Sequence, residues 1–226
     1  SLMSYSLYSF SDHSDKLVNL IDELNSNNLL LSFISVDGDK VSLNHNWSPL
    51  SSSRTISVDK GQKSLTYSTR YQGQTIEKKL TFYPDSYNID IDVLFKQPSK
   101  FISRNQYNLG WSGGLPPTEK NISNDYQFFE GFASLGGEHM GAKPKKGKLT
   151  EESQKGSTLW SAIKTKYFIS AIVPNDPGIA ARVESELIDK RPVYNTEITQ
   201  NTSSSNSFTL YLGPLEYDNL KAFDVD

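Results

Sequence analysis

Apolar and polar residues alternate with period two along most of this chain. The alternation is cleanest over 87–95, where Ile89, Ile91 and Val93 fall on one side and Asn88, Asp90 and Asp92 on the other. A strand so patterned buries one face and wets its opposite face. Comparable runs over 29–36, 41–43, 55–58, 65–71, 75–83, 107–111, 127–133, 179–187, 194–200 and 207–212 predict further strands. Turn residues separate them at Asp37-Gly38, Gln72-Gly73 and Pro84-Asp85-Ser86, and the polar stretch 201–206 reads as a hairpin tip. Two stretches depart from this pattern. Leu17, Leu20, Ile21 and Leu24, with Ser14 as N-cap, predict a short helix over 15–24. Gly213-Pro214 closes the last strand and predicts a helix over 215–222, because proline suits an early helical position. The expectation is an all-β, antiparallel sandwich, one domain over 1–226, with a short helix near its N-terminus and another at its C-terminus. No repeat of fixed period is present.

Residues 160–174 read as one long strand of two characters. The first half mixes aromatic, polar and cationic side chains; from Tyr167 to Val173 the run is almost wholly apolar, and it stops at Pro174, which cannot continue a ladder. Such a strand enters at a sheet surface and ends between packed layers.

Composition narrows the function classes. With 226 residues the chain can bury roughly 70–75% of its unfolded surface. A net charge of −3 from 23 basic and 26 acidic side chains is too balanced to steer the whole protein to nucleic acid or acidic lipid. The absence of cysteine excludes disulfides, thiolate metal sites and a cysteine nucleophile, and suits an oxidising compartment such as a periplasm. No apolar run approaches the ~20 residues that span a bilayer, and no signal peptide is visible. Ser1-Leu2-Met3 reads as a cloning scar ahead of an excised fragment.

Little catalytic chemistry stands out. His13, His45 and His139 lack a second histidine three or four positions away, so no metal site and no cofactor are expected. Asp90 and Asp92 share a strand face but fall short of the 6–8 oxygens that calcium takes. The stretch 136–143 resembles a phosphate loop and 131–136 a nucleophile elbow. Neither has the required spacing, and both read better as glycine-rich turns. Lys143, Lys145, Lys146 and Lys148 form a solvated loop without aromatic neighbours, unsuited to nucleic acid; near a membrane each lysine would favour anionic headgroups. Trp111, Glu119 and His139 lie in the irregular section 96–158 and could line a cleft for extended sugars or peptides, the alternative being a core Trp111 with glycines in turns.

Three stretches together resemble the large periplasmic domain of YidC-type membrane protein insertases. They are the run Trp160, Ala162, Lys164, Lys166, Tyr167, Phe168, Ala171 and Pro174; the segment 208–220 with Leu212, Gly213, Pro214, Leu215 and Leu220; and the strand–turn–strand over 77–87. The resemblance extends over about 29–222, with the family's opening strands lacking a counterpart here. It implies a β-supersandwich similar to galactose mutarotase, on the periplasmic face of the inner membrane within a multi-pass protein. It implies a non-enzymatic role, with Sec-translocon accessory proteins and nascent membrane proteins as partners. Leu215, Leu220 and Phe223 would then couple the domain to the membrane part. The likeness to mutarotases supplies the rival reading, a periplasmic carbohydrate-binding module or aldose-epimerase-like enzyme. That enzyme needs an acid and a base facing one ring, for which Glu119 and the pair Glu138-His139 are the candidates.

Overall fold

The computed structural model describes residues 4–12, 14–21, 27–44, 47–50, 56–203, 206–216 and 220–221. Its strands are β1 (Ser6–Ser11), β2 (Leu17–Asn19), β3 (Leu30–Ser35), β4 (Lys40–Ser42), β5 (Ser48–Pro49), β6 (Lys63–Tyr71), β7 (Gln74–Phe82) and β8 (Asn88–Phe95). They continue as β9 (Ile102–Trp111), β10 (Glu130–Leu135), β11 (Glu138–Gly141), β12 (Thr150–Lys164), β13 (Phe168–Pro174), β14 (Gly178–Ile188), β15 (Arg191–Asn201) and β16 (Ser207–Pro214). One helical turn, α1 (Ile122–Asp125), is capped by Asn121, whose Oδ1 accepts the Asn124 N–H at 3.2 Å.

β1 and β2 form a hairpin of their own, and the other strands make one 14-stranded sheet in the order β4-β3-β9-β15-β14-β12-β13-β16-β8-β7-β6-β5, with the β10–β11 hairpin beside β12. Every strand pairing is antiparallel. Flat, that path would be about 50 Å wide. Its two extremes, β4 and β5, are joined by only the five residues between Ser42 and Ser48, which reach roughly 20 Å. The sheet therefore folds over, and its two wings face each other. The side chains say the same: Phe33 of β3 meets Tyr71 of β6 at 5.3 Å, and Tyr107 of β9 meets Phe95 of β8 at 4.7 Å. The main core lies between the wings and includes Leu31, Leu109, Ile198, Ile76, Ile91 and Leu210. The edges are blunt: β4 is three residues with Lys40 at its start, and β5 is two residues ending in proline.

β12 joins the wings. Residues 150–158 pair with β14, while residues 161–164 have β10 on one edge and β13 on the other. On the outer face of this region Trp160, Ala162, Ile169, Ala171 and Tyr211 form a second cluster, on which Leu220 packs.

Several expectations hold and others are corrected. Ile89, Ile91 and Val93 are buried, with Asn88, Asp90 and Asp92 on the wetter face; there Thr209 and Ser207 donate to Asp90 (3.3 Å) and Asp92 (2.6 Å), and Tyr83 also donates to Asp90. The helix predicted over 15–24 is absent from its described part. Asp12 accepts the N–H groups of Ser14 and Lys16, and Asn19 accepts those of Tyr5 and Ile21, so local side chains fix a hairpin instead. The run 160–174 is two strands. Thr165 N–H donates to Phe168 O (2.8 Å), and Phe168 N–H donates back to the Thr165 hydroxyl (3.2 Å), closing a turn at Lys166-Tyr167. Residues 56–58 form no strand. The stretch 201–206 joins β15 to β16, which are not paired, so it passes from one wing to the other rather than turning a hairpin. β16 runs through Pro214. The predicted helix over 215–222 lies largely outside the described residues, as does Phe223; within it Leu220 N–H donates to Glu216 O at 3.2 Å.

Candidate functional site

Two clefts flank the 160–174 hairpin. The first, about 680 Å³, lies where the β10–β11 hairpin meets the 127–130 and 142–144 segments. Gly131 lines it and lets Tyr194 pack close, since a Cβ there would sit 2.7 Å from the Tyr194 ring. Tyr194 donates its hydroxyl to Phe129 O at 3.1 Å, and burial, with Glu130 nearby, pushes its pKa up to about 12. Lys164 pairs with Glu130 at 2.9 Å and stands 5.2 Å over the Phe132 ring. His139 is exposed and set edge-on to Trp160 at 5.1 Å.

The second cleft, about 510 Å³, is bounded by β1, residues 118–120, the 166–168 turn and residues 214–216. Lys166 is its hub: the ammonium lies 3.9 Å from Glu119, 4.7 Å from the Tyr167 ring and 5.7 Å from the Phe128 ring. A hydrogen bond with Tyr167 and the charge of Glu119 raise its pKa above the usual lysine value. Asp125 is fully buried and orients the rim by accepting the N–H groups of Thr118 (2.9 Å) and Glu119 (3.3 Å). Leu215 N–H donates to Tyr167 O at 2.7 Å. Tyr167 and Leu215 line this cleft and are exposed; Phe128, also exposed, lines the first cleft and faces Lys166 from that side.

The residues singled out from the sequence are not brought together. Trp111 is buried, donating Nε1–H to Gly114 O at 3.0 Å. Glu119 lines the second cleft and His139 the first, so an acid–base pair facing one sugar ring is not assembled from them. Leu215 is at the rim, whereas Leu220 is buried on the outer face of the sheet. Lys166, Tyr167 and Phe128 were not singled out as site residues. The placement of the first two comes from the turn at Lys166-Tyr167, which no Gly, Pro, Asn or Asp marks in the sequence. Among the described residues, no group of three or more His, Cys, Asp or Glu is placed to hold a metal, and no helix is long and apolar enough to cross a membrane.

Comparison with known proteins agrees with the motif reading. The membrane protein insertase YidC of Chlorobium luteolum is 30% identical over 237 residues, covering 100% of this chain and 40% of that protein. That of Chlorobium limicola is 29% identical over 240 residues, with the same coverage. The chain thus spans about 40% of the length of these curated relatives. A galactose mutarotase related enzyme from Lactobacillus acidophilus superposes with a TM-score of 0.47 at 8% identity, covering 93% of this chain and 97% of that one. The family model described as the YidC periplasmic domain matches residues 1–226, and the chain belongs to that family.

Proposed function

We propose that the chain is a docking domain on the periplasmic face of the inner membrane, within a multi-pass membrane protein insertase. Domains of this family are non-catalytic, so the work of this one is recognition. Its partners are accessory proteins of the Sec translocon, and it transiently holds an emerging membrane polypeptide. The observation that carries the reading is the second cleft, where Tyr167 and Leu215 stand exposed beside Lys166 and Glu119, with exposed Phe128 across Lys166 on the first cleft's side. Exposed aromatic and aliphatic groups ringed by charge suit an apolar segment with a polar flank. Leu220, seated on the β12–β13–β16 face, would couple the domain to the membrane part of the parent protein. A continuous sheet folded into two facing wings supports the finer reading of the fold as a β-supersandwich.

The test is photocrosslinking in the full-length parent protein, with a reactive residue in place of Tyr167 or Leu215 and a control at exposed Lys60. Crosslinks to translocon subunits or nascent chains at the two cleft positions, and not at Lys60, are expected. Equal yields at all three would sink the docking site.

A further inference from the structure

The net charge of −3 conceals an uneven distribution. At the N-terminal end of β12, the 143–149 loop and the β14–β15 turn share one tip: Lys146 bridges to Leu187, and Leu187 N–H donates to Lys145 O at 3.4 Å. Thr150 secures the loop, its hydroxyl donating to Lys143 O at 2.7 Å. Lys145 and Lys148 pair across Gly147, where a Cβ would meet no atom within 4 Å, so this turn projects into solvent. Lys143, Lys145, Lys146, Lys148 and Lys190 are all exposed, and none takes part in an ion pair among the described residues. Two aliphatic side chains stand among them, Leu149 at 50% and Ile188 at 45% exposure. Of the carboxylates nearby, Glu151 and Glu184 pair with Arg182, which leaves Glu152, Glu186 and Asp189 against five lysines, so the tip is positive on a chain that is negative overall.

From this tip we infer an interaction surface for the anionic headgroup layer of a phospholipid bilayer. The inference rests on the proposed location beside a membrane. Lysines are point charges on flexible stems, matched to a fluid array of phosphates, whereas a specific carboxylate-lined protein surface is better read by the bidentate fork of arginine. Leu149 and Ile188 supply the apolar component that interfacial segments insert at the acyl boundary. Each lysine near an anionic surface strengthens binding about fivefold, and attachment to a membrane-bound parent multiplies such weak contacts through effective concentration. β12 separates this tip from the second cleft by about 45 Å of strand, so both surfaces can be occupied at once.

The experiment is flotation of the 226-residue chain with vesicles of phosphatidylglycerol and phosphatidylethanolamine, and with vesicles of phosphatidylcholine alone. Binding to the anionic vesicles is expected, falling at least about tenfold between low and high salt. The combined variant K143Q/K145Q/K146Q/K148Q should lose about a hundredfold or more at unchanged melting temperature. The variant K60Q/K63Q/K96Q/K100Q, equal in charge, should bind like the parent, and L149S/I188S should bind several-fold more weakly. No preference for anionic vesicles, or equal losses in the two lysine variants, overturns the inference. So does retention on a polyglutamate matrix without vesicle binding, which would assign an acidic protein instead. Crosslinking at Tyr167 reads the docking site independently, so either idea can fail alone.

Discussion

Lys78 stands on the inward face of β7 between Ile76 and Leu80, fully enclosed, with its ammonium 2.6 Å from Leu29 O and 4.5 Å over the Trp47 ring. Burial lowers its pKa from 10.5 to about 7. The unfolded chain binds this proton up to pH 10.5 while the folded chain has released it above about 7, so stability rises with pH across that window and is flat below it. Burial raises the pKa of Tyr5, Tyr107 and Tyr194, whose phenols ionise first in the unfolded chain, so the rise reverses above about pH 10. Lys78→Met is expected to abolish the slope, which reaches at most about 1.4 kcal/mol per pH unit; urea unfolding between pH 7 and 9.5 measures it. A slope unchanged in the variant would assign the effect to another group. The alternation of Ile76, Lys78 and Leu80 made the inward direction of this lysine legible. Its partners were not, because Leu29 O and the Trp47 ring come from segments 49 and 31 residues away in sequence.

Elements were legible wherever period two was strong and a turn residue marked the end. β6, β7 and β8 fall within a residue or two of their expected bounds. The 160–174 hairpin was missed because Thr165, Lys166, Tyr167 and Phe168 include no Gly, Pro, Asn or Asp, and the turn is closed by a threonine hydroxyl. The 15–24 segment was misread because leucines three and four apart fit a helix equally well, and only Asp12 and Asn19 show that the N–H groups are taken locally. The β14–β15 turn illustrates local cost: Asp189 and Lys190 both have positive φ, 48° and 71°, a conformation in which glycine is favoured at the second position. Lys190→Gly is expected to stabilise the domain by up to about 1 kcal/mol, or roughly 2–4 °C in a thermal melt. A lower melting temperature would mean that the lysine makes a contact outweighing its backbone cost.

For the molecule as a whole, the family and the antiparallel sandwich could be read from the motifs, but the path of the sheet could not. Nothing in 201–206 signals that it passes between wings, since a polar loop looks alike in a hairpin and in a crossover. The two-layer logic also separates Leu220 from the main core: it packs on Trp160, Ala162 and Ala171 on the outer face. An end segment can undock without opening the sheet, so the penalty of a substitution there is capped by its own docking free energy. Leu220→Asp is therefore expected to expose Trp160 to acrylamide quenching while the sheet's urea midpoint shifts by less than about 1 kcal/mol equivalent. Collapse of the melting temperature by ~10 °C would place Leu220 in the cooperative core.

β16, the last of the described strands, lies between β13 and β8, and among the described residues it is the one strand through which the β8-β7-β6-β5 wing joins the rest of the ladder. Residues 63–95 are thus made early yet wait for residues 207–214 before their sheet is continuous. On a chain emerging from its N-terminus, at about 5–20 residues per second, that interval of more than a hundred residues lasts many seconds. Until it ends, the edges of β8 and β13 stay open to other strands. The domain cannot mature by stepwise addition; it closes in one late event, when β16 slots into the middle.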